Sequence, residues 1–232
     1  METAFQRSEL IIGKSGIETL KTKHVAVFGL GGVGGILCES LIRTGIGEIS
    51  IFDNDTISVS NLNRQIIALN STIGKFKVHI MENRLLDINP ECVIHKYPMF
   101  VDKDTITNID FSQFDFVADA IDTISSKLLL IKYCKDNDVS IISSMGTGNK
   151  TDITKLKICD ISKTEYDPLA RVMRRELKKM NIKKVPVLFS DEIIDSPQVI
   201  NGEKGRHSPG SICYVPNVAG LKMSLYIIEN ML

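Results

Sequence analysis

No uncharged apolar run in the 232 residues approaches the roughly 18–20 needed to cross a bilayer. The first ten residues, METAFQRSEL, lack the basic start and apolar stretch of a secretory signal. The sequence thus predicts a cytoplasmic protein with no transmembrane segment. Cysteines are few and badly spaced: Cys38, Cys92, Cys134, Cys159 and Cys213 are odd in number and include no C-x-x-C pair. That argues against a disulfide framework and against a four-cysteine zinc site. Neither charge sign is in excess, since 28 Lys+Arg face 28 Asp+Glu. Nucleic-acid binding would therefore need a local basic patch, not an overall field. Internal repeats, low-complexity tracts and Pro/Gly-rich linkers are also missing, which predicts one domain over residues 1–232.

What is present is an alternation of short β-branched runs with helical stretches, the pattern of right-handed βαβ units. It predicts an α/β fold of the Rossmann-like, doubly wound kind: a mainly parallel sheet with a C-terminal, substrate-facing extension. Strands are expected at His24–Phe28, Glu48–Phe52, Cys92–Lys96, Phe114–Ala118 and Val139–Ser143, then at Lys155–Asp160 and Lys183–Phe189. Helices are expected at Ser8–Leu20, 33–44, 75–88, 102–108, 124–137, 167–181 and Pro216–Met231, with a polar loop over 190–211.

Directly after the first strand comes GLGGVG, with Gly29, Gly31, Gly32 and Gly34 opening a helix. Glycines let the backbone approach phosphates, and a helix N-terminus offers unpaired N–H groups and partial positive charge. Asp53, at the end of the second strand, is placed to accept hydrogen bonds from ribose hydroxyls. Residues 1–145 therefore read as a nucleotide-binding half and 146–232 as a substrate-facing half. An NAD dehydrogenase would need little more, whereas here Asp53 is followed by a polar cluster containing Asp55, Ser60, Asn61 and Arg64, with Lys77 thirteen residues further on. Arg supplies a planar donor fork and Lys a point charge, a pairing suited to a reacting triphosphate. ATP is the nucleotide this cluster favours. Asp122, after the fourth strand, faces the ligand crevice as a candidate Mg²⁺ ligand, unless it serves only to cap the next helix. Asp119 is the weaker candidate because it lies closer to the buried strand.

The stretches GLGGVGG, FDNDTISVSNLNRQ, IGKFKV and AIDT together resemble the ubiquitin-activating superfamily of adenylating enzymes, the ThiF- and MoeB-like proteins. The resemblance implies that Gly32 and Ser60–Arg64 contact ATP, that Asp53 binds its ribose and that Arg64 and Lys77 hold the phosphates, with Mg²⁺ on Asp122. It also implies a homodimer in which Arg7, in Phe5-Gln6-Arg7, reaches the neighbouring subunit's ATP; alone, Arg7 is a charge near a chain end. The second half, through ISSMGTGNK, DPLARVMRREL and GRHSPGS, is similar to the tRNA threonylcarbamoyladenosine dehydratases. The resemblance then implies ATP-dependent cyclisation of N6-threonylcarbamoyladenosine in tRNA, with a sulfur-relay protein as a candidate partner. Alternatives are adenylation of the C-terminus of a sulfur-carrier or ubiquitin-like protein, and a non-catalytic nucleotide sensor.

The helix at 167–181 carries Arg171, Arg174, Arg175, Lys178 and Lys179 at i, i+3, i+4, i+7 and i+8, opposite an apolar face of Leu169, Val172, Met173, Leu177 and Met180. Alone this is equally a solvated face; with the resemblance it is the candidate tRNA-binding surface. Arg171, Arg174 or Arg206 are alternatives for gripping a substrate carboxylate, and His207 is a candidate base. Cys159 and Cys213 are expected to be packed strand residues and not nucleophiles.

Overall fold

The computed structural model describes residues 4–194, 199–201 and 207–232. Apolar runs that alternate with amphipathic segments pair as parallel strands and send their helices to both faces. β1 (His24–Phe28), β2 (Glu48–Phe52), β3 (Val93–Tyr97), β4 (Phe116–Asp119), β5 (Ser140–Ser144), β6 (Leu156–Asp160) and β7 (Pro186–Ser190) form one sheet in the order β3-β2-β1-β4-β5-β7-β6. Every pairing is parallel except β6 with β7. The order reverses between β1 and β4, which places a ligand crevice at their carboxyl ends.

Alternation along the strands feeds two cores. Val25, Val27, Ile49 and Ile51 point to one side with α1 (Gln6–Lys21), α2 (Gly34–Thr44), α3 (Lys77–Ile88) and α6 (Tyr214–Met231). Ala26, Phe28, Phe52 and Val117 point to the other, with α4 (Ile124–Asp136) and α5 (Pro168–Lys179). On this second side Phe28 stacks on Phe52 and Phe52 on Tyr97, with ring centroids 4.1 and 4.4 Å apart.

The doubly wound expectation is met, with corrections. Residues 102–108 hold only a single 3₁₀ turn, Ile106–Asn108. The Asp102 carboxylate accepts from the Asp104 and Thr105 amides, a local alternative to helix hydrogen bonding. The polar loop over 190–211 contains a hairpin, β8 (Val199–Asn201) against β9 (His207–Pro209). α6 begins at Tyr214, two residues before the expected Pro216, because proline is tolerated in a first helical turn. α1 is broken at Gly13, which has φ +77°.

Candidate nucleotide site

The crevice is built by backbone contacts between the three central strand ends. Gly29 N–H donates to Phe52 O and Ala120 N–H to Phe28 O, each at 2.8 Å. Two glycines are required here by space. Gly29 has φ +91° and a Cβ would lie 2.6 Å from Ala120 O; a Cβ on Gly34 would lie 1.8 Å from Gly29 O. The N-cap of α2, Val33, offers no side-chain cap and its first turn holds no acid. Apart from Gly35 N–H, which donates to Gly31 O at 3.0 Å, the amides of its first turn are thus left for an anion.

Asp53 closes the floor of the site. Its carboxylate accepts from Leu30 N–H at 2.7 Å and Asp55 N–H at 2.8 Å, and lies 3.7 Å from Lys77 Nζ. Burial raises its pKa, and the charge of Lys77 and the two amide hydrogen bonds oppose that rise in part. Lys77, almost fully buried at the first position of α3, donates to Asp55 Oδ2 at 2.8 Å. Asp55 is therefore the exposed partner that holds Lys77 at the rim. Arg64 donates through one guanidinium nitrogen to Ser60 O at 2.8 Å and Asn63 Oδ1 at 2.9 Å, which folds its side chain back over the 3₁₀ turn Val59–Asn61. Ser60 shares a hydroxyl contact with Ser58 at 2.9 Å, and buried Asn61 accepts from Ser58 N–H. Asn61 thus spends its oxygen on the turn, leaving its amide nitrogen for a ligand.

Asp122 is exposed, and among the described residues its carboxylate meets only the Thr123 hydroxyl, at 3.3 Å. The N-cap of α4 is Thr123, so Asp122 does not serve as its cap. An exposed oxygen donor beside the glycine loop fits a hard cation such as Mg²⁺. Asp119 is excluded from that task by its partners. It is fully buried against Lys127 Nζ at 2.9 Å and accepts from Ser143 Oγ at 2.6 Å and Ile121 N–H at 3.1 Å.

Two contributors, Lys127 and Asn217, carry no motif of their own in the sequence. Lys127 also donates to Ile121 O at 2.9 Å, fixing the turn that presents Asp122. Asn217, on α6, donates to Arg64 O at 3.0 Å and so ties the terminal helix to the nucleotide loop. Gln65 is buried with Oε1 unpartnered and Nε2 directed toward Gly31, an orphan acceptor at the loop that suits a hydrogen-bonding ligand.

Arg7 is not brought to the nucleotide loop of its own chain. Phe5 packs over Gly45, at the end of α2 remote from the glycine loop, and Arg7 lies exposed in the next turn. α5 exposes Arg171 and Lys178, whereas Arg175 and Lys179 share Glu176 at 2.8 and 2.9 Å. Arg174 departs from the expected free face: it donates to Thr164 O at 2.6 Å and Thr164 Oγ1 at 2.7 Å, bracing the helix. Arg206 and the side chain of His207 lie outside the described residues. Cys213 is exposed at the N-cap of α6, not packed in a strand, while Cys159 is a half-buried β6 residue. Burial pushes the thiols of Cys38 and Cys134 up strongly and that of Cys92 up to about 12. None of these three offers a thiolate at neutral pH.

A model of the ThiF family matches residues 5–225. The chain belongs to the ThiF family. Among ThiF-family proteins, the tRNA threonylcarbamoyladenosine dehydratase of Bacillus subtilis is 45% identical, over 98% of this chain and 94% of that protein. The crystal structure of Escherichia coli tRNA N6-threonylcarbamoyladenosine dehydratase, TcdA, in complex with AMP superposes with a TM-score of 0.89 at 32% identity, covering 98% of this chain and 93% of that one. Its complex with ATP gives a TM-score of 0.86 at 31% identity, with the same coverage. The ThiF-family assignment agrees with the doubly wound sheet. Among the described residues no helix is long and apolar enough to cross a membrane.

Proposed function

We propose that this chain catalyses the ATP-dependent dehydration of N6-threonylcarbamoyladenosine in tRNA. One observation carries the reading: a chain 45% identical to a dehydratase of that name, along nearly its whole length, has a glycine loop at the sheet's switch point with Asp53 and Lys77 beside it, 3.7 Å apart. The carboxylate of the threonyl group is a poor electrophile, because its leaving group would be oxide. Transfer of AMP from ATP forms a mixed anhydride and releases pyrophosphate. The ureido group of the same side chain then attacks the activated carbonyl, AMP leaves, and a five-membered ring closes with net loss of one water. Proximity supplies most of that second step.

In this reading the Gly29–Gly34 loop and the N-terminus of α2 hold the phosphates, and Asp53 accepts from the ribose. Lys77 and Arg64 neutralise charge as pyrophosphate departs. For Arg64 this requires release from Ser60 and Asn63. Asp122 would hold Mg²⁺, which supplies further neutralisation of phosphate charge when bound. Arg7 acts on the partner's ATP in a homodimer, a role favoured by its distance from its own loop. The tRNA lies along α5 through Arg171, Arg175, Lys178 and Lys179, while Arg174 positions that helix. Residues 1–145 and 146–232 work as one domain, the first on ATP and the second on the nucleoside. We place the enzyme in the cytoplasm with its tRNA, with a sulfur-relay protein as a candidate partner.

The test is mass spectrometry of nucleosides from tRNA carrying the modification, incubated with the protein and Mg²⁺, with and without ATP. The expected result is an ATP-dependent loss of one water accompanied by AMP. An unchanged nucleoside with folded, ATP-binding protein overturns the reading and favours adenylation of a carrier protein, which carrier-dependent pyrophosphate exchange would detect.

A further inference from the structure

The parallel register of β1, β2 and β3 sets His24 beside Glu48 and Ser50 beside His95 on one face of the sheet. Their polar atoms converge at the amino ends of the strands, the end of the sheet opposite the nucleotide crevice. Glu48 Oε1 lies 2.8 Å from His95 Nε2 and 3.4 Å from His24 Nδ1. Among the described residues this is the group of histidine, cysteine and carboxylate side chains whose donor atoms all fall within 4.8 Å of one another. We propose that His24, Glu48 and His95 form a binding site for one divalent transition-metal ion of the zinc class.

The donor set suits that class: two imidazoles and a carboxylate are borderline ligands that zinc accepts. Tetrahedral zinc, with bonds of about 2.0–2.1 Å, spaces its ligand atoms about 3.3 Å apart. The His24–Glu48 separation already has that value, and the His95–Glu48 pair needs to open by about half an ångström on the same geometry. His95 and Glu48 can do so, because each side chain is about 40% exposed. The surroundings also orient the buried imidazole. His24 Nε2 lies 2.9 Å from the buried Ser50 hydroxyl, and the Phe114 ring meets His24 edge-on at 4.9 Å. With Nε2–H donating to Ser50, the Nδ1 lone pair faces the carboxylate, the arrangement by which a ligating histidine has its other nitrogen fixed by a hydrogen bond. The partly exposed side of the cluster leaves a fourth position to water. An ion there clips three adjacent strands together and leaves the nucleotide crevice untouched, so its role is structural.

The experiment titrates the chelator-treated full chain with Co²⁺, followed by displacement with Zn²⁺. Wild type is expected to take one equivalent with the visible bands of tetrahedral cobalt and to melt at a higher temperature with Zn²⁺. Glu48→Gln and His95→Ala are expected to weaken uptake at least tenfold and to lose the melting shift, while His79→Ala, an exposed histidine elsewhere, behaves as wild type. Unchanged ATP binding shows that each variant is folded, with His95→Gln replacing His95→Ala if needed. Absence of saturable uptake at micromolar ion, or equal uptake by Glu48→Gln and His95→Ala, overturns the site and leaves a hydrogen-bonded cluster.

Discussion

Lys127 Nζ lies 2.9 Å from the Asp119 carboxylate, and neither side chain is exposed to solvent. Asp119 ends β4, and its other contacts reach β5 through Ser143 and the Asp122 turn through Ile121. Removing one partner of such a pair leaves an uncompensated buried charge, which costs about 3–5 kcal/mol. Lys127→Met is therefore expected to lower unfolding free energy by that amount, and Lys127→Met with Asp119→Asn to recover part of it. Urea unfolding of the single and double variants checks this. A single variant as stable as wild type would show that the pair is not holding the turn.

Lys77 compensates the buried Asp53 carboxylate. Because burial raises the Asp53 pKa, the carboxylate takes up its proton at a higher pH than an ordinary aspartate, about 3.9. ATP affinity is expected to fall as pH drops through that raised value, since a protonated Asp53 is a poorer acceptor for ribose hydroxyls. In Asp53→Asn this limb of the profile disappears. Lys77→Ala removes the cation proposed for the phosphates and is expected to cost about a hundredfold in turnover, together with some stability, because the buried Asp53 carboxylate keeps its two amide hydrogen bonds but loses its cation. Single-turnover AMP release, with circular dichroism as the folding control, measures it.

Glu39 joins two helices by accepting from Arg43 at 2.8 Å and from Arg84 at 2.5 Å. Burial works against its charge, yet the hydrogen bonds from Arg84 and Arg43 outweigh it and hold the carboxyl below the usual glutamate value. A depressed folded-state pKa stabilises fully above the unfolded value, about 4.3, and that contribution drains away as pH falls through the folded one. Unfolding free energy measured from pH 6 downward is thus expected to fall less steeply in Glu39→Gln than in wild type. Parallel curves would remove Glu39 from the acid response.

Much of this was legible in the sequence because periodicity and turn chemistry are local. The GLGGVG loop, Asp53 and Lys77 fall where a strand–turn–helix pattern places them, and GLGGVG reports a backbone constraint that a Cβ at Gly34 would violate. Long-range partners left no such trace. Lys150, which the sequence shows only as the end of ISSMGTGNK, is buried at 3.1 Å from Asp167, which at the same time caps α5 through Ala170 N–H. Asn217 meets Arg64 across 153 positions of chain. The helix expected at 102–108 failed because Asp102 and Thr105 offered the backbone other hydrogen bonds. Helical periodicity placed the five cations of α5 on one face without distinguishing Arg174, whose partner Thr164 lies outside the helix.

That distinction separates two kinds of variant on α5. Charge reversal at Arg171 and Lys178, both exposed, is expected to weaken tRNA binding and lower the salt slope by about one for each phosphate no longer neutralised, with little effect on melting. Arg174→Ala is expected to act on stability first, because it leaves Thr164 O without its donor and loosens the helix, at a cost of about 1–3 kcal/mol. Binding isotherms at several salt concentrations, paired with thermal melts, separate the two. If Arg171→Glu/Lys178→Glu binds as wild type does, the tRNA surface lies elsewhere.

Arg7 makes the sharpest demand on assembly. Phe5 packs over Gly45, at the C-terminal cap of α2, while the glycine loop lies at the other end of a helix of 11 residues, about 16 Å long. An arginine held there serves a nucleotide only if that nucleotide belongs to a second copy. Arg7→Ala and Lys77→Ala should each lose most of the activity alone, Lys77→Ala about a hundredfold. A heterodimer of the two then contains one site with wild-type Lys77 in its body and wild-type Arg7 from its partner, and one site lacking both. Equal mixing with random exchange is expected to restore about a quarter of wild-type activity. Mixed dimers verified by mass spectrometry that remain inactive would place Arg7 outside the reaction. Full activity in Arg7→Ala alone would show that the cradle of Lys77 and Arg64 suffices within one chain.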